Sequence, residues 1–524
     1  MSLAITGVAN AYVLNAVFGR FDLLLVTILL ALECAGVAVV LMCKPAWRPV
    51  VRWSSLEVVG GLAVGVVFLL HVFSLAPVGM MPVSHSVDCA HQHLLVDFIY
   101  RHSSFPEDAG YLYIYDDYPV GPSALAAFLA HLGGIFPVQT MYPIAGLLVA
   151  AQVVLVHGVI SELLPQSVLS SLVAVLAALG VFLPYSYSVR AFTEHFYSNM
   201  LMGNLIVLLA LWAVVVFNRI PGVWRVALTL GLTVGCLQSY PAWLPFVVTP
   251  LIASLLWDQR TTRSRRFALV GGIIVLVGVF TAVAVLDQWE FITWFAPSRD
   301  RRLIPGWSSL GGILLIPALV GMVVLCRFQR QYRGLFWFVL IDASIVIALY
   351  GLAWVDWLTL YIPDKTFYFN AFLLLTLAGL GIGRLLDGRR VKRWISQVAI
   401  FIVSLSTIVA VNHRHSPPDR YPITLDEYRV AYQAARETPE EEFAYLVRES
   451  MTFYWIYGCI LNHTHDLAER RDEWIAAKPT VEQWMNDSAG PRRAIVSEIS
   501  ALPADGRWRA LATSGDAGIV ERTP

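Results

Sequence analysis

Apolar runs long enough to cross roughly 30 Å of hydrocarbon recur from Phe21 to Val411, with short polar loops between them. They show no period-2 alternation, so they predict helices and not the strands of a membrane barrel. Residues 1 to 19 lack a basic start and an Ala-x-Ala site and are expected to form a weak first span instead of a cleaved leader. Beyond residue 412 the pattern changes: apolar runs shorten, charges interleave, and Pro417 and Pro418 mark a linker. In "TLDEYRVAYQAARETPEEEFAYLV", Thr424 and Glu427 stand at capping-box spacing ahead of an amphipathic helix, and the stretch ends as a strand. "RRAIVSEI" and "RWRALATSGDAGIVER" read as further strands. Residues 1–412 are therefore expected to form a membrane bundle, and residues 413–524 a small α/β domain.

Composition agrees: 57% of the 524 residues are hydrophobic and 14% charged, which excludes an ordinary soluble domain. Cationic residues orient the bundle, because short loops rich in Lys and Arg stay on the cytoplasmic side. Those loops hold Lys44, Arg48 and Arg52; Arg219 and Arg225; Arg260, Arg263, Arg265 and Arg266; Arg327, Arg330 and Arg333; and Arg384, Arg389, Arg390, Lys392 and Arg393. For the sides to alternate, the apolar segment from Pro122 to Phe136 must lie along or dip into the outer leaflet, which leaves residues 81–142 as one large external loop. The region from Val226 to Trp257 must conversely be two short crossings with "CLQSYPAW" at the outer turn. The expected architecture is an all-α polytopic bundle of about 13 spans in the plasma membrane, with the N-terminus inside and the C-terminal domain outside.

The external loop opens with "HSVDCAHQHLLVDFIYRHSSFP", four histidines around Asp88. From Ser86 onward, Leu94, Leu95, Phe98 and Ile99 suit a helix lying in the interface, with Asp88 and His91 at its start. Asp88 or Ser86 could simply cap this helix. Alternatively Asp88 is a base beside a lipid-facing groove, where partial desolvation would raise its pKa. An aromatic, acidic linker, "YLYIYDDYPVGPSAL", and a partly embedded helix follow.

This order of parts resembles the GT-C glycosyltransferases, membrane enzymes that use polyprenyl-phosphate sugars. "SVD" at 86–88 and "YPVG" at 118–121 stand where that superfamily carries its acidic loop residue and a Tyr-Pro-Pro-Gly-like turn. The layout is most similar to the actinobacterial arabinofuranosyltransferases, although Val120 replaces a proline and the tail is short. The resemblance implies inverting transfer of a sugar, with arabinofuranose as one candidate, from a polyprenyl-phosphate donor to a glycan or lipid-linked glycan acceptor, with Asp88 as general base. It implies no cofactor, and no nucleic-acid partner is expected.

Such chemistry needs cations for the departing phosphate, and external cations are few. Lys365 in "YIPDKTFYFNAF" is the first candidate, against the alternatives of snorkelling to headgroups or pairing with Asp364. Arg299, Arg301 and Arg302 in "APSRDRRLIPGW" come next, against a solvated loop near anionic lipid. Arg190, Glu194 and His195 in "PYSYSVRAFTEHFYSN" are candidates to complete an acceptor or donor pocket with His91, His93, Asp116, Asp117 and Tyr118. Asp116 and Asp117 lack a third ligand at fixed spacing, so no required metal is expected. Cys34, Cys43, Cys236 and Cys326 fall within or at the ends of spans, whereas Cys89 and Cys459 share the oxidising side and could pair. The intramembrane Glu33 and His71 support an alternative, a secondary transporter or flippase of lipid-linked sugars. A non-catalytic assembly protein, in which Asp88 is dispensable, is a third possibility.

Overall fold

The computed structural model describes residues 2–43, 61–62, 65–66, 79–81, 87–106, 119–164, 168–179, 198–216, 219–220, 222–256, 271–272, 274–275, 278, 311–355, 361–386, 421–438, 442–461, 463 and 466–523. Apolar sequence becomes helix: α1 (Ser2–Phe18), α2 (Leu23–Cys43), α3 (Val87–His102), α4 (Gly121–Gly133), α5 (Val138–Leu163), α6 (Val168–Leu179), α7 (Ser198–Val216) and α8 (Gly222–Ser239). A 3-10 turn at Pro241–Trp243 leads into α9 (Leu244–Leu256), followed by α10 (Gly311–Arg327), α11 (Arg333–Trp354), the short α12 (Tyr361–Lys365) and α13 (Phe367–Leu385). Among the described residues, five helical segments are long and apolar enough to cross a membrane: Leu23–Val40, Val138–Leu163, Ser198–Val216, Arg333–Trp354 and Pro363–Leu385.

Burial separates the middle of the bundle from its rim. Of the most apolar 18-residue stretch within Pro363–Leu385, 89% is buried, against 6% of the α2 span. Leu24 and Leu32 on α2, with Ile347 and Trp354 on α11, are exposed, as side chains facing hydrocarbon would be. Where α10 and α13 meet, a Cβ on Gly381 would stand 2.6 Å from the Pro317 carbonyl oxygen, so the missing side chain lets the two backbones touch.

Two of the sequence expectations take definite form. The segment from Pro122 to Phe136 yields α4, whose 13 residues reach about 20 Å and fall short of a full crossing. "CLQSYPAW" breaks the next apolar region into α8 and α9, with Tyr240 in the non-helical link.

The C-terminal domain begins with α14 (Leu425–Glu437) and β1 (Phe443–Leu446). A short helix α15 (Ser450–Phe453) then runs into a π-helix, Tyr454–Ile460. Next come α16 (Leu467–Ala477), α17 (Val481–Asn486), β2 (Arg493–Val496), β3 (Trp508–Ser514) and β4 (Ala517–Arg522). The sheet order is β1-β2-β4-β3, with β1 parallel to β2 and the remaining pairs antiparallel. Thr424 caps α14 in the expected reciprocal box with Glu427. Glu427, 2% exposed, also receives the Arg448 guanidinium through Nε at 2.8 Å and Nη2 at 2.7 Å, fixing the chain after β1 onto α14.

One expectation changes. Helix α3 does not lie in an interface with an open apolar side: Leu94, Leu95, Val96 and Ile99 are all buried, as are Cys89, His93 and Asp97. The C-terminal domain covers it through the π-helix and α14, and α14 also reaches the α4–α5 link, with the Tyr428 and Tyr432 rings each 5.4 Å from Phe136.

Candidate functional site

Sequence-distant stretches converge where α4, α7, α8 and α12 begin or end. The Asn199 amide on the first turn of α7 donates to the Pro119 carbonyl at 2.6 Å. At Gly121 a Cβ would stand 2.6 Å from the Gln238 carbonyl oxygen, so the "PVG" turn rests directly on the end of α8. Trp243 Nε1 donates to Asn204 Oδ1 at 2.8 Å, tying the α8–α9 link to α7. Lys365 donates from Nζ to the Tyr240 hydroxyl at 3.2 Å, and its ammonium lies 5.5 Å from the centre of that ring.

Lys365 therefore does not snorkel, being 5% exposed, and Asp364 is engaged instead by the Tyr350 hydroxyl at 2.8 Å. Its ammonium is thus buried against a phenol and the face of that ring. On the α4, α7 and α8 sides of this junction, buried polar atoms lack hydrogen-bond partners: Ser123 Oγ, Asn199 Oδ1, Asn204 Nδ2 and Gln238 Oε1. A buried polar atom left unpaired costs about 1–3 kcal/mol, so four close to one helix junction mark a place suited to a polar ligand.

Asp88 stands in the first turn of α3. The last turns of α3 and α4 meet, with His131 Nε2 2.9 Å from the Tyr100 carbonyl and the two rings stacked at 4.2 Å. Because α3 and α4 pack along each other, their first turns, bearing Asp88 and Gly121, point toward the same end of the pair.

His91 and His93 face the C-terminal domain and not this convergence. His91 Nε2 is hydrogen-bonded to the Tyr454 hydroxyl, and His93 Nε2 lies 2.9 Å from the Tyr428 hydroxyl with its ring 5.3 Å from Trp455. Burial, with a smaller push from Arg101, drives His93 down to about 3, so it is a neutral imidazole. Asp97 on the same helix pairs with Arg101 at 2.7 Å; burial raises its carboxyl to about 6, and Arg101 opposes the rise. The Arg101 guanidinium lies 4.5 Å over the Tyr432 ring. Cys89 and Cys459 belong to the same seam, and burial, then the neighbouring Cys89, hold the Cys459 thiol well above its ordinary range.

Asp116, Asp117, Tyr118, Arg190, Glu194, His195, Arg299, Arg301, Arg302 and His71 lie outside the described residues. Glu33 accepts from Asn10 Nδ2 at 3.0 Å, so it ties α2 to α1. Sequence reading missed Tyr240, Asn199 and Asp342. Asp342 is a carboxylate buried in α11 whose Oδ1 has no hydrogen-bond partner, and an acidic residue inside an apolar run was the available signal.

No protein-family model matches the chain, and no curated protein matches it in sequence.

Proposed function

We propose that the chain is a GT-C-type glycosyltransferase with about 13 spans, its convergence site and C-terminal domain facing outward from the plasma membrane. It transfers a sugar, with arabinofuranose as one candidate, from a polyprenyl-phosphate donor to a cell-envelope glycan. The observation that carries this reading is the packing of "PVG" (119–121) on Asn199 and on Gln238 at the end of α8, next to the Tyr240 break that buried Lys365 reaches.

Asp88 takes the proton of the acceptor hydroxyl as its oxygen attacks the anomeric carbon. The bond to the donor phosphate breaks on the opposite face, with inversion. Lys365, held by Tyr240, stabilises the phosphate charge that develops. The unpaired atoms of Ser123, Asn199 and Gln238 orient donor or acceptor oxygens, which supports the reading because a polar ligand would satisfy them.

The alternative, a transporter or flippase, draws support from buried Asp342. Sugar transfer from a radiolabelled polyprenyl-phosphate donor pool to endogenous glycan, in membranes holding wild-type protein or Asp88→Asn at equal folded abundance, separates them. Transfer by the wild type that is lost in Asp88→Asn with donor binding retained supports the enzyme. Unchanged transfer removes Asp88 from the mechanism. Absence of wild-type transfer from arabinose, mannose, glucose and galactose donors favours transport.

A further inference from the structure

Among the described residues, the groups named at the convergence site all belong to the bundle, yet the C-terminal domain grips the helix that carries Asp88. Its contacts fall near both ends of α3: Tyr454 on His91, Tyr428 and Trp455 on His93, and Tyr432 under Arg101. Eight residues separate His93 from Arg101, about 12 Å along the axis, so the grip fixes tilt as well as position. An apolar seam alone would not fix rotation or register as tightly, because apolar contact is non-directional. The His93–Tyr428 hydrogen bond supplies direction, and it does so at a cost, since His93 Nδ1 is buried without a partner. A hydrophobe of similar size would bury more cheaply, so what the pair adds is one defined pose.

We infer that Tyr428 and His93 are positioning residues, through which the C-terminal domain holds α3 at the rotation and register that present Asp88 to its acceptor. This rests on Asp88 being the base. A slip of one residue along α3 turns its first turn by about 100° and moves it about 1.5 Å. A displacement of about 1 Å at a reacting group can remove about two orders of magnitude of rate. The hydrogen bond joins two neutral groups: burial holds His93 low and keeps the Tyr428 phenol well above its ordinary range. The constraint therefore persists across the working pH range.

The test uses the full chain in membranes, with Tyr428→Phe removing only the hydroxyl and His93→Phe or His93→Gln altering the imidazole. Tyr428→Phe and His93→Phe are expected to lower kcat about tenfold with KM for donor and acceptor within about twofold, and His93→Gln, whose amide still reaches a phenol, to recover most of the rate. Tryptic resistance of residues 421–523 reports folding. If Tyr428→Phe loses that resistance, the comparison of His93→Phe with His93→Gln decides. Wild-type kcat in Tyr428→Phe and His93→Phe overturns the positioning role alone. An equal rise in KM for both variants at unchanged kcat also overturns it, and absence of transfer by the wild type overturns the glycosyltransferase reading with it.

Discussion

Lys365 donates to the Tyr240 hydroxyl at 3.2 Å, a bond between α12 and the break that separates α8 from α9. It joins the one buried cation described at this junction to the link that the sequence placed between two short crossings. Lys365→Met keeps most of the stem and removes the charge. It is expected to lower transfer about a hundredfold, as does loss of one preorganised donor to a developing anion, while Tyr240→Phe costs less than about tenfold. Equal transfer by wild type and Lys365→Met, in the same donor assay, would sink the phosphate role.

Gly121 supports the same junction by being small. Its added Cβ would meet the Gln238 carbonyl oxygen at 2.6 Å, whereas a Cβ on Gly231 in α8 would meet nothing within 4 Å. Gly121→Ala should therefore destabilise the purified protein by about 1–3 kcal/mol, although alanine ordinarily favours a helix. Gly231→Ala should stabilise it by about 0.5–1 kcal/mol. Opposite shifts of thermal midpoint in detergent are the expected result. Equal shifts would show that the α4–α8 contact relaxes freely.

Asp97 gives the seam beneath α3 a pH dependence of definite sign. Its carboxyl, ordinarily near 3.8, is raised to about 6 by burial against the opposition of Arg101. Between about pH 4 and pH 6 the folded state thus holds a proton that the unfolded chain has released, and stability falls as pH rises through that window. Above about pH 6 the contribution is flat. The remaining titratable neighbours across the seam, Tyr428, Tyr432 and Cys459, are all shifted upward and stay protonated there. The thermal midpoint of the wild type should drop more between about pH 4.5 and about pH 6.5 than that of Asp97→Asn. Parallel profiles would assign the dependence to other groups.

Long apolar runs made the spans legible, and capping and strand patterns made α14, β1, β2 and the β3–β4 hairpin legible, because those signals are local. The π-helix and α16 were not read, since the partner that Tyr454, Trp455 and Cys459 cover, α3, lies far away in sequence and is met only through long-range packing. The Thr480 and Gln483 box ahead of α17 was readable in the same way as that of Thr424 and passed unused. At the candidate site, Lys365 was visible as a scarce external cation where the chain re-enters the membrane, and "YPVG" through its resemblance to a Tyr-Pro-Pro-Gly-like turn. Tyr240 and Asn199 were not, because only long-range packing distinguishes them from ordinary polar residues at helix ends. His91 and His93 drew notice for proximity to Asp88 in sequence, but a helix distributes neighbours around its axis, and these two face the C-terminal domain.

Glu427 holds that domain together at its entry. It accepts from the Thr424 amide at 2.8 Å, from Arg448 at 2.8 and 2.7 Å, and from the Ser497 hydroxyl. Burial pushes its carboxyl up, but these donors outweigh burial and leave it below the usual range, so its stabilisation is present above the ordinary carboxylate value and is lost as pH falls through the lowered one. Glu427→Gln removes the charge that Arg448 answers and leaves a partly buried guanidinium short of its partner, a loss of about 3 kcal/mol. Because α14 also carries Tyr428 and Tyr432, loosening it should release the grip on α3. The expected outcome is faster tryptic cleavage within residues 421–523 together with faster amide exchange in residues 87–102. Faster cleavage with unchanged exchange in α3 would mean that the bundle alone fixes that helix.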